Sequence, residues 1–204
     1  MTLLTAMEIH DGLIVASDGL ASWSMKGQEH LPKSYLTDTE KIHIVAPRVI
    51  YGVCGSLINW NKKLKDGIQT LLLLNKDHPL NDIANAIAQY LPVLYSDRIN
   101  NPDFFIALLL AGFSPDGTKP VMYTINDGKV MAWGDDHPWM TLGDRNDLSD
   151  AYIKTRYSGK FLSRNKTIIL LKDAIADTSK QIPEIVGGHT FVYEITLKGT
   201  TRLE

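Results

Sequence analysis

Threonine at position 2 is the residue whose chemistry depends most on its place. The chain begins MTLLTAMEIHDGLIVASD, so Thr2 stands directly behind Met1. A hydroxyl is a poor nucleophile at neutral pH and needs a base beside it. An N-terminal residue carries its own, because a free α-amine titrates at about 7.7–8.0. That lies close to working pH, where a general base is most effective. Removal of Met1 would therefore make Thr2 nucleophile and base at once, and threonine is small enough for ordinary Met removal. The plainer reading is that Thr2 is a good strand former at the head of a strand.

Other chemistries have less to stand on. His10, His30, His43, His78, His137 and His189 show no metal-ligand spacing. Asp135-Asp136-His137 reads as a polar loop. There is no phosphate-binding glycine loop and no G-x-S-x-G elbow. No metal and no cofactor are expected.

The elements that must hold Thr2 can be read from periodicity. Residues 2–10 and 13–18 form a hairpin around Asp11-Gly12, a type I′ turn signal. Residues 23–38 are polar, carry Gly27 and Pro32, and read as a loop. KIHIVA (41–46) and VIYGVCG (49–55) pair across Pro47-Arg48. Ser56 is placed to cap a helix, in which Leu57, Trp60, Leu64, Ile68, Leu71 and Leu72 recur at helical spacing. A second helix follows Pro79, with Leu80, Ile83, Ala84, Ile87 and Leu91 on one stripe, and Pro92 disturbs its end.

The period then changes. FFIALLLAGF (104–113) is a continuous apolar run, as in a strand buried on both faces. PVMYTI and KVMAWG flank Asn126-Asp127-Gly128, a second hairpin signal. Helices are expected over 146–158 and 164–180, the second with Ile168, Leu171 and Ile175 on one face. Gly187-Gly188 interrupts the chain, and HTFVYEITL (189–197) closes it as a strand. Strands and helices come in groups, not in alternation, so the fold class is α+β and not a doubly wound sheet. Two sheets packed face to face, with a helix pair outside each, would bury every stripe.

Bulk properties narrow the partners. With 204 residues and no evident linker, the chain is expected to form one domain over 1–204. A net charge of −2 gives no electrostatic reason to expect nucleic acid or an acidic membrane. No apolar run is long enough to span a bilayer, and no signal peptide is expected at the start. The single cysteine, Cys54, excludes an internal disulfide and suits a reducing cytosol, so a cytoplasmic location is expected.

Element order and motifs together resemble a proteasome β-type subunit, a threonine peptidase of the N-terminal nucleophile hydrolase superfamily. The resemblance runs from residue 2 to about 197. DGLIVASD is similar to the family's D-G-x-x-x-A-x-D hairpin, EKIHIV to its lysine-bearing strand start, YGVCGS to its A-G-x-x-G element, and GGHTFVYEIT to its last strand. The resemblance implies a four-layer αββα sandwich. It implies Thr2 as nucleophile, Lys41 beside its hydroxyl, Asp18 holding Lys41, and the Gly52 N–H as oxyanion donor. It puts Ala21, His43, Ile50 and Cys54 around the substrate pocket. It further implies peptide or unfolded-protein substrates, self-association into stacked rings around a chamber, and compatibility with a separate ATPase, as in the simpler bacterial members.

Two supporting motifs depart from the family. Active members have Gly-Ser-Gly before the third helix, where this chain reads LGDRND with Asp144 in the Ser position. They have Asp-x-x-Ser-Gly before the last strand, where this chain reads QIPEIVGG, with Val186 in place of Ser and Glu184 as the nearest acid. Asp144 and Glu184 are the expected substitutes. The alternatives are a catalytically silent ring subunit and a small-molecule amidase of the same superfamily.

Overall fold

A computed structural model describes residues 2–23, 34–55, 61–94, 106–126, 128–134, 136–159 and 161–204. Met1, the Ser56 cap, Leu57 and Trp60, His30, Phe104 and Phe105, Asp127 and Asp135 lie outside the described residues. The described chain is α+β, with two five-stranded antiparallel sheets and four helices.

The first sheet contains β1 (Leu3–Ile9), β2 (Gly12–Asp18), β10 (Trp139–Gly143), β11 (Thr190–Thr196) and β12 (Gly199–Arg202), in the order β10-β1-β2-β11-β12. The second contains β5 (Ile42–Ala46), β6 (Val49–Gly55), β7 (Ile106–Phe113), β8 (Pro120–Asn126) and β9 (Lys129–Trp133), in chain order. A short pair, β3 (Ala21–Trp23) and β4 (Ser34–Leu36), stands apart. The helices are α1 (Asn61–Leu74), α2 (Leu80–Leu94), α3 (Asn146–Arg156) and α4 (Arg164–Gln181).

Strand alternation sorts the side chains into three apolar clusters. Leu4, Ala6, Leu13 and Val15 of the first sheet meet Ile42, Ile50, Leu109 and Phe113 of the second. Leu3, Met7, Ile14 and Val192 point to the opposite face, against Ile153 of α3 and Leu171 and Ile175 of α4. Tyr51, Leu108 and Leu110 pack against Leu64 and Ile68 of α1 and Ile83 and Ile87 of α2. Covered on both faces, β1, β2 and β7 are buried at every residue, which is why β7 reads as an unbroken apolar run.

Several local expectations shift. Ile9 pairs with Gly12, so the first turn is His10-Asp11, and neither residue has the positive φ of a type I′ turn. Gly12 is required for a different reason: a Cβ there would lie 2.1 Å from the Ile195 carbonyl oxygen of β11. At the second hairpin, Asn126 pairs with Lys129 and Gly128 has φ 72°, the conformation that glycine supplies in such turns. α2 runs through Pro92 to Leu94, since a proline in the last turn removes only one helical bond. β4 lies inside the expected 23–38 loop, and β10 and β12 appear where no strand was expected. These strands are short, and WMTLG and GTTR lack a clear apolar alternation.

Replacing the fully buried Leu109 by Ala should cost about 2–5 kcal/mol. Leu73→Ala, on the exposed side of α1, should change stability by less than about 0.5 kcal/mol. Urea unfolding of the two variants checks this contrast.

Candidate active site

The site is organised by the carboxylate at the end of β2. Asp18 is completely buried, and a buried carboxylate must be hydrogen-bonded or paired. It is both. Oδ1 accepts the Leu3 N–H at 2.8 Å and a proton of Lys41 Nζ at 2.6 Å. Oδ2 accepts the Leu20 N–H at 3.3 Å and the Gly187 N–H at 3.2 Å. The donors come from the head of β1, the segment after β2, the lead into β5, and the loop between α4 and β11.

Lys41 is 4% exposed and also donates to the Leu20 carbonyl at 2.7 Å. Burial opposes both charges of the pair, raising the Asp18 carboxyl and lowering the Lys41 ammonium. Their mutual attraction and the backbone donors act in the other direction.

Thr2 is 6% exposed and sits just ahead of β1. Its neighbour Leu3 and Lys41 share one oxygen of Asp18, so Nζ lies within two hydrogen-bond lengths of the Leu3 nitrogen. From the other side, the Asp144 N–H donates to the Thr2 carbonyl at 3.1 Å. Gly143 makes this approach possible. It pairs with Leu3, has φ 116°, and a Cβ there would stand 1.8 Å from the Thr2 carbonyl oxygen.

The remaining sequence candidates divide. Cys54 is brought to the site: its sulfur would lie 3.3 Å from a Cβ on Gly143, and its S–H donates to the Leu142 carbonyl at 3.5 Å. Burial pushes its thiol well above the usual range, so it is a neutral wall group. Ala21 begins β3, next to the Leu20 that binds both members of the ion pair. Ile50 is part of the cluster between the sheets.

His43 goes elsewhere. It packs on Tyr51, whose side belongs to the helix-covered face, and burial together with Lys65 of α1 pushes its imidazole down to about 4. Alternation explains this, because Ile42 faces the other sheet and its neighbour must face away.

Gly52 also differs from expectation. The Val53 N–H bonds the Lys41 carbonyl, and the Phe113 N–H bonds the Arg48 carbonyl. With Ile42 opposite Gly52 on one side and Leu109 opposite it on the other, ladder parity turns the Gly52 N–H toward Leu109. It is a ladder donor, so the expected oxyanion role does not fit this register. The glycine is nonetheless required, since a Cβ would lie 2.8 Å from the Leu4 side chain.

Neither substitute acid bonds the Asp18–Lys41 pair or Thr2 through its carboxylate. Asp144 and Glu184 are exposed. Asp144 contributes its backbone N–H, and the loop carrying Glu184 contributes that of Gly187. Val186 is buried against the first sheet and the helices covering it. Sequence reasoning missed the Leu3, Leu20 and Gly187 amides and the Gly143 approach. The unusual VGG and LGD glycines were the available signals. Among the described residues, no group of three or more His, Cys, Asp or Glu is arranged to hold a metal ion. No helix of the described residues is long and apolar enough to cross a membrane.

No protein-family model matches this chain, and no curated protein matches it significantly.

Lys41→Met removes the cation and lets the buried Asp18 carboxyl rise further above the unfolded value of about 3.9. The folded variant then holds a proton that its unfolded chain releases, so its stability falls as pH rises from about 4. Its deficit against wild type should be small near pH 4 and reach about 3–5 kcal/mol at neutral pH, read from urea melts across that range. Gly143→Ala should destabilise by at least about 2 kcal/mol, combining positive-φ strain with the clash at Thr2. Gly159→Ala, with φ 77° and nothing within 4 Å of a Cβ, should cost only about 1 kcal/mol. Thermal melts of the pair separate strain from contact.

Proposed function

We propose that this chain is a threonine-type peptidase subunit of the N-terminal nucleophile hydrolase class, with the four-layer αββα arrangement of that class. The observation that carries the reading is the buried Asp18–Lys41 pair bonded to the amide of Leu3, beside a nearly buried Thr2. A buried ion pair contributes little net stability. Its place at the Leu3 amide, one residue from Thr2, gives it a chemical use in this reading.

In the proposed reaction, Met1 is removed and the free α-amine of Thr2 accepts the Oγ proton as Oγ attacks a peptide carbonyl. The amine then delivers that proton to the departing amine of the substrate. Water hydrolyses the resulting ester and restores the hydroxyl. The Lys41 ammonium favours the developing alkoxide, and Asp18 fixes its position. Ala21 and Cys54 line the approach. Peptide or unfolded-protein substrates, assembly into rings, cooperation with a separate ATPase and a cytoplasmic setting belong to the same reading.

A second reading is favoured by two observations. The Gly52 N–H is used by the sheet, and the Asp144 and Glu184 side chains are exposed. These features suit a silent subunit that keeps the ion pair as structure.

Intact-mass analysis before and after incubation with a peptide epoxyketone separates the two. That warhead needs both the hydroxyl and the free amine of an N-terminal threonine. The peptidase reading expects a mass without Met1 that gains one inhibitor, and no gain in Thr2→Ala. A retained Met1 with no adduct supports the silent subunit instead.

A further inference from the structure

Among the described residues around the Thr2 nitrogen, the charges do not balance. Asp18 on β2 and Lys41 before β5 neutralise each other at 2.6 Å. Cys54 on β6 is held as a neutral thiol by burial. The loop before β11 presents the uncharged Gly187 N–H. At the start of α3, Arg145 donates two N–H groups to Asp147, at 3.1 and 3.3 Å, so those two side chains form a pair of their own. Among the described residues, the carboxylate left over on this side is that of Asp144.

Its distance from the Thr2 nitrogen is bounded by covalent geometry. The Asp144 nitrogen is 3.1 Å from the Thr2 carbonyl oxygen. The remaining links are the span of one residue and the length of one Asp side chain, so the carboxylate lies within about 10 Å of the Thr2 nitrogen. That is about one Debye length at 0.1 M salt, and the partly buried terminus screens less than open solvent. Across that distance an anion acts on an amine through a weak, salt-screened field whose sign favours the charged form.

We propose that Asp144 is a tuning residue whose carboxylate holds the free Thr2 amine as ammonium to higher pH than a threonine terminus with no anion beside it. The inference rests on the peptidase reading, in which that amine exists and must be unprotonated to accept the Oγ proton. Activity then develops at higher pH than an uncharged residue at position 144 would allow.

The test is the rate of epoxyketone adduct formation as a function of pH, for wild type, Asp144→Asn and Asp144→Glu. Competitive acetylation of the Thr2 amine, mapped by peptide mass, gives its titration directly. Asp144 is exposed and bonds Thr2 through its backbone, so all three proteins should fold alike. The acid limb of Asp144→Asn should lie about half a pH unit below that of wild type, as expected for one carboxylate at this range. Below both limbs the variant should react about threefold faster. Asp144→Glu should restore most of the shift, and the difference should shrink in about 1 M salt. Adducts with superimposed limbs, or a limb that moves upward in Asp144→Asn, would overturn the tuning role and leave the peptidase reading intact. A retained Met1, or no adduct at any pH in any of the three, would overturn both.

Discussion

The Asp18 carboxylate is where four separate segments of the chain meet. Its two oxygens take donors from the head of β1, from Leu20, from Lys41 and from the Gly187 loop, with no water-accessible surface left. Each donor would be expensive to leave unmade in the interior. The four segments are therefore fixed relative to one point, although Gly187 lies 169 positions from Asp18. Thr2 inherits its place from this arrangement through Leu3. Gly143 and Asp144 close it from the other side.

The arrangement depends on close approaches of backbone that only glycine permits. Gly143 lets β10 reach the Thr2 carbonyl, and Gly188, at φ 71°, lets the chain before β11 pass so close to Thr37 that a Cβ would lie 2.2 Å from its carbonyl oxygen. That carbonyl accepts the His189 N–H at 2.9 Å, and the Thr39 N–H bonds Gly19 at 2.9 Å. The lead into Lys41 is thus tied to both β2 and β11. The ion pair itself adds little stability after desolvation. What it adds is a defined position for a cation that the surrounding backbone already confines.

Much of this was legible in the sequence, for identifiable reasons. The grouping of strands and helices gave the α+β class, because covered strands and amphipathic helices leave different periods. Asp18 and Lys41 were found as a pair through the resemblance of DGLIVASD and EKIHIV, and they are indeed joined. What escaped was set by register. Whether Gly52 points its N–H to a cleft or to Leu109 depends on ladder parity, and one step along the strand reverses it. The same parity sends His43 to the helix side while Ile42 faces the other sheet. Residue type carries no record of that choice. Short strands such as Trp139–Gly143 and Gly199–Arg202 were missed because sheet neighbours, not local pattern, define them.

The two departures from the family pattern also have a physical sense. At the two segments where the resemblance led to supporting side chains, the contacts are made by backbone amides: Asp144 N–H on the Thr2 carbonyl, Gly187 N–H on Asp18. An amide has no rotamer to lose and no charge to desolvate, so it positions at low entropic cost. It also supplies only a donor. The proton traffic of the proposed reaction then falls on the Thr2 amine, and the proposed role of the Asp144 carboxylate is to act on that amine and not to hold the hydroxyl. On the proposed reading an acid stands where the family pattern has a hydroxyl, so the pH dependence of the site is where its chemistry can be told apart.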